Sequence, residues 1–124
     1  MDLSIVIVHY NVFDYLRECL FSILNSKNKM TKEVLLIDNH SSDFYGEAIR
    51  REFPEVRIIE NEKNRGFSFA SNQGIRQSEG RYVLLLNPDT VFPQDGMHKV
   101  IEYMDQNLEV GICGCRMVDP RGKL

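Results

Sequence analysis

The chain has 124 residues, of which 43% are hydrophobic and 27% charged, and its formal net charge is −3. This length suits one globular domain with a sizeable core. The basic residues are scattered along the sequence, which argues against a nucleic-acid partner. The apolar runs are far shorter than the roughly 20 residues that span a bilayer.

The N-terminus and the cysteines indicate the compartment. The first residues, MDLSIVIVHY, contain no basic leader and no small-residue cleavage site, so we expect no signal peptide. Cys19, Cys113 and Cys115 form an odd set without a disulfide framework, and no second Cys or His pair lies at zinc-finger spacing. We therefore expect buried, reduced thiols in a cytoplasmic protein and no structural metal cluster.

The first half of the chain predicts strands alternating with helices. The β-branched run Leu3–Val8 predicts a strand that is buried on both faces. Apolar residues between Tyr15 and Asn25 share one helical stripe, and Asp14 is the expected N-cap. Glu33–Asp38 predicts a second strand, closed by the turn-forming NHSSD, and a short helix then ends at Pro54.

The second half continues the alternation. Val56–Glu60 and Arg81–Asn87 predict the third and fourth strands, with a small-residue-rich helix over Phe67–Gln77 between them. A further helical stripe covers Met97–Met104, and Val110–Met117 predicts a fifth strand. The order βαβαβαβαβ predicts an α/β fold in which a mainly parallel sheet carries helices on both faces.

Polar residues follow the first four predicted strands. Open parallel sheets bind ligands beyond the carboxyl ends of their strands, where the strand order reverses. Such residues are also common in ordinary turns, and only their convergence at one edge of the sheet favours a binding site. They are His9, Tyr10 and Asn11, then Asp38 and Asn39, then Asn61 and Glu62, and finally Asn87, Pro88 and Asp89.

Several nucleotide and hydrolase sites are excluded by their missing motifs. The sequence contains no Gly-x-Gly-x-x-Gly turn after the first strand, no P-loop and no Gly-x-Ser-x-Gly elbow. His9-Tyr10-Asn11 stands where a receiver-like domain would carry paired acids. A nucleotide site built from an aromatic ring, an acid and a metal remains.

Four stretches, in this order, resemble the family-2 glycosyltransferases with the GT-A fold: SIVIVHYN, EVLLIDNHSSD, NRGFSFASNQGI and RYVLLLNPDT. Within that family, NPDT together with GFSFASNQGI resembles the rhamnosyltransferase-like branch. The resemblance implies sugar transfer, with inversion, from a UDP- or dTDP-type sugar to a hydroxyl of a glycan or lipid-linked acceptor. It also implies a role in polysaccharide or cell-surface glycan synthesis, in the cytoplasm or at the inner face of the membrane.

The resemblance implies roles for the residues at the first two strand ends. The ring of Tyr10 matches the position that packs near the base, the alternative being a half-buried core tyrosine. Asp38 or its neighbour Asn39 matches the position that hydrogen-bonds the base or ribose. His9 and Asn11 flank Tyr10 and are included in the nucleotide-sugar site, although His9 has the alternative of pointing away from it.

The resemblance also implies a diphosphate and metal site. Arg65, beside Gly66, is a candidate for countering diphosphate charge, with a solvated loop arginine as the alternative. Asn87-Pro88-Asp89 matches the Asp-x-Asp motif that holds Mn²⁺ or Mg²⁺. Asp89 is then the only strong ligand, with a cap of the next turn as its alternative. Asn87 helps through its carbonyl or holds the turn, and metal affinity is weaker than at a two-carboxylate site.

The general base of the family lies beyond this motif, in the acceptor-binding half, and we expect it beyond Leu124. Asp119 lies in DPRG, which predicts a turn. Residues 1–124 are therefore expected to be the donor-binding part of a longer enzyme, with self-association through surface that the remainder would cover. Two alternatives are a non-catalytic nucleotide-sugar-binding module and a nucleotidyltransferase, which would need a glycine- and basic-rich loop after the first strand.

Overall fold

The computed structural model describes residues 1–25 and 29–124 and contains four strands and four helices in strict alternation. This confirms the predicted alternation as far as residue 106. The strands are β1 (Leu3–His9), β2 (Lys32–Asp38), β3 (Val56–Glu60) and β4 (Tyr82–Leu86). The helices are α1 (Phe13–Leu24), α2 (Gly46–Glu52), α3 (Phe67–Gln77) and α4 (Gly96–Gln106).

The strands form one parallel sheet in the order β3-β2-β1-β4. From β1 the chain adds β2 and then β3 on one side, and it returns to place β4 on the other side of β1. Ile7 of β1 is paired with Leu36 on one side and with Leu86 on the other. The strand order therefore reverses at β1, and the carboxyl ends of β1 and β4 flank the crevice where α/β sheets bind ligands.

Helices cover both faces of the sheet. Leu16 and Leu20 of α1, Ile49 of α2 and Met97 of α4 belong to the larger core cluster on one face. On the other face, Ala70 of α3 packs in a cluster with residues of β1 and β2. Burial of these apolar side chains is the main source of stability, at about 25 cal/mol for each Å² removed from water.

Gly74 explains how α3 approaches the sheet so closely. A Cβ atom at this position would lie 2.4 Å from Cγ1 of Val6 and 3.0 Å from Cδ1 of Ile37. Because real Cβ atoms do not approach a neighbour so closely, only glycine fits between the helix and these two core side chains. The close packing of α3 on the sheet depends on this contact.

The prediction of a fifth strand over Val110–Met117 is wrong. The segment has no regular secondary structure, and Ile112 is 93% exposed. A strand is stabilised by ladder hydrogen bonds and by burial of at least one face, and this segment has neither within the described part of the chain. Gly111 and Gly114 further weaken its preference for strand backbone.

Two smaller expectations also fail. Asp14 lies in the first turn of α1, since the cap position is Val12, whose side chain makes no cap hydrogen bond. Cys19 is buried as expected, but Cys113 and Cys115 are exposed because their segment is not part of the sheet. The turn at Asp119 is confirmed, because its carboxylate accepts hydrogen bonds from the backbone N–H groups of Arg121 and Lys123.

None of the helices in the described ranges is both long enough and apolar enough to pass through a membrane.

Candidate functional site

The exits of β1 and β2 are joined by a buried histidine–aspartate pair. His9 is completely buried, and its Nδ1 lies 2.9 Å from Oδ1 of Asp38. The other ring nitrogen, Nε2, accepts a hydrogen bond of 3.2 Å from the backbone N–H of Val12. The sequence places the two residues at equivalent ends of paired strands, since His9 is directly opposite Asp38 in the ladder.

Asp38 uses both carboxylate oxygens inside the protein. Oδ1 accepts from His9, and Oδ2 accepts from the backbone N–H of Ser41 at 3.1 Å. Burial raises the pKa of this carboxyl, but the hydrogen bonds from His9 and Ser41 outweigh burial and hold the pKa below its ordinary value. The group is therefore a charged, internally paired carboxylate, and a ligand would have to share oxygens that already have donors.

Asn39 joins the exit of β2 to the loop before α3. Its Nδ2 donates to Oδ1 of Asn64 at 2.8 Å and to the carbonyl of Gly66 at 3.2 Å, and its Oδ1 accepts from the backbone N–H of Arg65 at 3.3 Å. The side chain is buried. Asn39 thereby fixes the backbone on which Arg65 and Gly66 lie, and Gly66 needs its flexibility because its φ is 89°.

Sequence reasoning gave no individual role to several residues that complete these contacts. Ser41 accepts from the backbone N–H of Asn11 at 3.0 Å, and Ser42 donates from its backbone N–H to Oδ1 of Asn11 at 2.9 Å. Asp43 accepts from the backbone N–H of Phe13 at 3.1 Å. The stretch NHSSD did indicate hydrogen bonds to the backbone, because short polar side chains often bond to nearby backbone groups. The partners could not be predicted, because they lie about thirty residues away in the sequence.

Tyr10 and Asn11 are exposed above this buried network. Tyr10 is 50% exposed, which is compatible with both of its predicted alternatives, a base-packing ring and a half-buried core tyrosine. Asn11 adopts a left-handed backbone with φ of 55°, which asparagine tolerates better than most residues. The two residues form the surface of the loop, and His9 lies beneath it. Because His9 has no exposed side-chain atom, it does not offer the direct ligand contact that was predicted for it.

Arg65 lies on the surface at the start of α3. Its guanidinium carbon is 4.9 Å from the centre of the Phe69 ring, a cation–π contact that leaves the charged group beside solvent. Within the described residues Arg65 forms no ion pair with a carboxylate. This uncommitted cation is suited to an anionic ligand.

Asn87 and Asp89 follow β4 on the other side of the crevice. The backbone carbonyl of Asn87 accepts from the hydroxyl of Thr90 at 2.7 Å and from the thiol of Cys19 at 3.8 Å, which anchors the turn. Burial raises the pKa of Cys19 to about 11, so its thiol is the donor. The side chains of Asn87 and Asp89 are exposed, and the Asp89 carboxylate has no hydrogen-bond or ion-pair partner among the described residues.

Residues 4–123 match the family model described as Glycosyl transferase family 2. The chain belongs to this family. Glycosyltransferase GlyA of Streptococcus pneumoniae serotype 4 is 35% identical over 108 residues, a match that covers 82% of this chain and 15% of GlyA. The minor teichoic acid biosynthesis protein GgaB of Bacillus subtilis (strain 168) is 30% identical over 110 residues, covering 86% of the chain and 12% of GgaB. The chain thus spans a small part of these relatives.

Solved structures share the fold of this family-2 chain. S. aureus TarS 1-349 in complex with UDP has a TM-score of 0.75 at 22% identity, over 87% of this chain and 33% of TarS. The mannosyltransferase PcManGT from Pyrobaculum calidifontis, in complex with GDP-Man and Mn²⁺, has a TM-score of 0.74 at 23% identity, over 82% of this chain and 32% of that protein. The predicted GT-A fold is confirmed.

Proposed function

We propose that residues 1–124 are the donor-binding part of a glycosyltransferase that transfers a sugar from a nucleoside-diphosphate sugar of the UDP or dTDP type to an acceptor hydroxyl. Membership of family 2 supports a transferase, and the structural neighbours include TarS with UDP-GlcNAc. The observation that carries the proposal is the crevice between β1 and β4, where Tyr10 stands on one side and the unpartnered Asp89 on the other.

The chemistry of the crevice suits a nucleoside diphosphate. An exposed tyrosine ring such as Tyr10 offers a flat apolar surface to a base. Arg65, which has no carboxylate partner among the described residues, offers a fixed positive charge to the diphosphate. Asn39 holds the backbone of Arg65, so this charge is presented on a loop that is already ordered. The acceptor we propose is a glycan or a lipid-linked acceptor. The relatives' names, which refer to teichoic acid biosynthesis and to a poly-β-1,6-N-acetyl-D-glucosamine synthase, support a role in glycan synthesis.

The residues after β4 fit one divalent cation of the Mn²⁺ or Mg²⁺ kind. Asp89 provides a free carboxylate, and Asn87 provides an amide oxygen two residues away. Hard cations prefer oxygen ligands, and one or two carboxylates suffice where phosphates and water complete the shell. No group of three or more His, Cys, Asp or Glu side chains among the described residues could hold a metal ion, so affinity should depend on the donor's diphosphate. When bound, such an ion neutralises charge on the departing diphosphate.

A thermal-shift panel with UDP-, dTDP- and GDP-sugars, with and without Mn²⁺, tests the proposal. A ligand that binds only the folded state raises the apparent stability, by about 2.7 kcal/mol at one hundred times its Kd. We expect at least one nucleotide sugar to raise Tm further when Mn²⁺ is present. Asp89→Ala should abolish the metal-dependent part, whereas Asp95→Ala, an exposed control six residues later, should keep it.

Two outcomes would contradict the proposed site. In the first, no nucleotide sugar shifts the transition of the wild-type chain. In the second, Asp89→Ala and Asp95→Ala retain the same metal-dependent shift, which would place the cation elsewhere.

A second candidate function, nucleotide-sugar binding without transfer, is favoured by the amide at Asn87, where an Asp-x-Asp motif would have its first acid. Release of nucleoside diphosphate separates the two candidates, because only transfer or hydrolysis cleaves the donor. Release by a chain that extends beyond Leu124 and carries the expected general base, without release by residues 1–124, would support the donor-binding part. Absence of release from both chains with a range of acceptors would support the binding module.

A further inference from the structure

We propose that His9, in the neutral form that carries its proton on Nδ1, is the positioning residue of the nucleotide-binding loops. This inference rests on the proposed function, since it assigns the device that holds Tyr10 and Asn11 ready for the nucleotide. His9 does not reach the surface and acts through the residues on either side of it.

The hydrogen bonds fix where the proton is. The backbone N–H of Val12 points at Nε2 over 3.2 Å, and a backbone N–H can only donate. Nε2 must therefore be the acceptor, which places the ring proton on Nδ1. Nδ1 lies 2.9 Å from Oδ1 of Asp38, a carboxylate whose pKa is held below its ordinary value, so the N–H has a charged acceptor.

The ring joins three elements at one point. His9 is the last residue of β1, Asp38 the last of β2, and Val12 the residue before α1. The first N–H groups of a helix need acceptors from outside the helix, and the side chain of Val12 supplies none. His9 provides an acceptor just before the helix, and Asp43 provides the next one at Phe13, 3.1 Å away.

The ring closes the loop that carries the exposed residues. Tyr10 and Asn11 lie between His9 and Val12, and both ends of this short segment are held by the same imidazole. Asn11 is held in addition by Ser41 and Ser42 of the neighbouring loop. A loop that is already ordered loses less entropy when it binds a ligand, so this arrangement should strengthen nucleotide binding without a direct contact.

Asp43 lies on the Nε2 side of the ring. Its Oδ1 is buried without a hydrogen-bond partner, 3.7 Å from Nε2 of His9. A second proton on Nε2 would face this oxygen, and it would take away the acceptor of the Val12 N–H. The ring can hold the start of α1 only while Nε2 carries no proton, because only then does it accept from the Val12 N–H.

The proton position is tested on the wild-type chain by long-range ¹H–¹⁵N NMR of the histidine side chains at neutral pH. We expect the shifts of His9 to show a protonated Nδ1 and an unprotonated Nε2. Exposed His40 and His98 provide internal comparisons in the same spectrum. An Nε2–H tautomer or a doubly protonated ring would overturn the proposal.

The positioning role is tested by calorimetric titration with UDP, with UDP-GlcNAc, GDP and dTDP as further probes. We expect His9→Ala to weaken binding by about 10- to 100-fold, by analogy with the loss that follows when residues that orient metal ligands are replaced. His9→Asn, which can keep an N–H donor near the Nδ1 position but offers the Val12 N–H no acceptor, should recover only part of this loss. His98→Ala, on the exposed surface of α4, should bind as the wild type does.

The design separates positioning from stability and from the proposed function itself. Each titration is run at a temperature at which circular dichroism shows a fully folded variant, so that lower stability alone leaves Kd unchanged. Equal Kd values for wild type and folded His9→Ala would overturn the positioning role and leave the proposed function intact. Lack of binding by the wild type to every probe would overturn the proposed function and this inference together. If His9→Ala does not fold, the titration of His9→Asn and the NMR measurement replace it. Weaker binding by His9→Asn than by the wild type supports the positioning role, and an unchanged Kd overturns it.

Discussion

The sequence predicted that Asp38 belongs to the site, but it did not predict which groups Asp38 contacts there. The sequence placed an acid at the end of the second strand, and the resemblance implied contact with a base or ribose. In the structure, one oxygen of that carboxylate accepts a hydrogen bond from His9 and the other accepts one from Ser41. Sequence patterns cannot distinguish these possibilities, because they locate Asp38 in its own strand and do not show that His9, twenty-nine residues earlier, faces it.

The pH dependence of stability should reveal the internal pairing of Asp38. Its pKa in the folded protein is below the ordinary value of 3.8, so the unfolded chain takes up the proton first as pH falls. The stabilisation is complete above about pH 4 and is lost as pH falls through the folded-state pKa. Asp38→Asn should lower the free energy of unfolding by about 2 kcal/mol at pH 7, because it replaces the charged acceptor of the hydrogen bonds from His9 and Ser41 with a neutral one.

Urea unfolding at pH 7, 4 and 3 checks this expectation. The stability difference between wild type and Asp38→Asn should be largest at pH 7 and shrink towards pH 3. Asp14→Asn, an exposed change in the first turn of α1, serves as the control for general acid effects. A difference that stays constant over the three pH values would contradict the assignment.

Cys19 should be the unreactive thiol of the three. It is buried, and burial raises its pKa to about 11, so at pH 8 it is a protonated thiol with little nucleophilicity. Cys113 and Cys115 are exposed and accessible to an alkylating agent. Intact-mass measurement after iodoacetamide at pH 8 should show two additions to the folded chain and a third only after unfolding. Rapid modification of Cys19 in the folded chain would show that the turn after β4 opens.

At the scale of elements, the sequence predicted the strands and helices whose apolar residues form a continuous run or a helical stripe. The β-branched run of β1 and the apolar stripe of α1 identify both elements with bounds within two residues of those observed. Val110–Met117 has a strand-like composition but pairs with no strand in the described chain, and strand formation depends on such pairing. Local composition could not reveal this absence, because it is a property of the sheet.

Gly74→Ala tests the contact that seats α3 on the sheet. Alanine is the better helix former by about 1 kcal/mol, so an unpacked helix would be stabilised by the change. Here the new methyl group would lie 2.4 Å from Val6, and we expect a net loss of about 1–3 kcal/mol from overpacking. Gly111→Ala, where a Cβ meets no atom within 4 Å, is the matched control. Urea unfolding of both variants gives the comparison, and an unchanged or raised stability of Gly74→Ala would contradict this packing.

At the scale of the whole molecule, the strand order gives the site its two halves. The β1 and β2 exits form a rigid, hydrogen-bonded side that carries Tyr10, and the β4 exit forms a side that carries the free carboxylate of Asp89. Position at the strand ends was predictable because parallel strands place their carboxyl ends together. The sequence did not predict which of these polar residues form the buried supporting network and which are exposed to contact a ligand, because both groups consist of the same residue types.

The same strand order leaves β4 at an edge of the described sheet, with part of its apolar surface uncovered. Val83 and Leu85 are 41% and 48% exposed, on the face that α3 covers over β1 and β2. A cavity of about 550 Å³ lies between β4, α4 and the segment that contains Gly111–Met117. Edge strands with exposed apolar side chains pair readily with other chains, and a lysine on such a strand opposes this.

We therefore expect residues 1–124 to self-associate through β4 in a concentration-dependent way. Leu85→Lys should weaken association by about tenfold or more, because burying one leucine contributes about 2 kcal/mol and the charge resists desolvation. Leu108→Lys is the matched control, since Leu108 is 86% exposed and follows the end of α4 rather than lying on β4. Sedimentation equilibrium over a range of concentrations measures the effect. A wild-type chain that stays monomeric, or equal weakening by both lysine variants, would show that the exposed edge of β4 does not drive association.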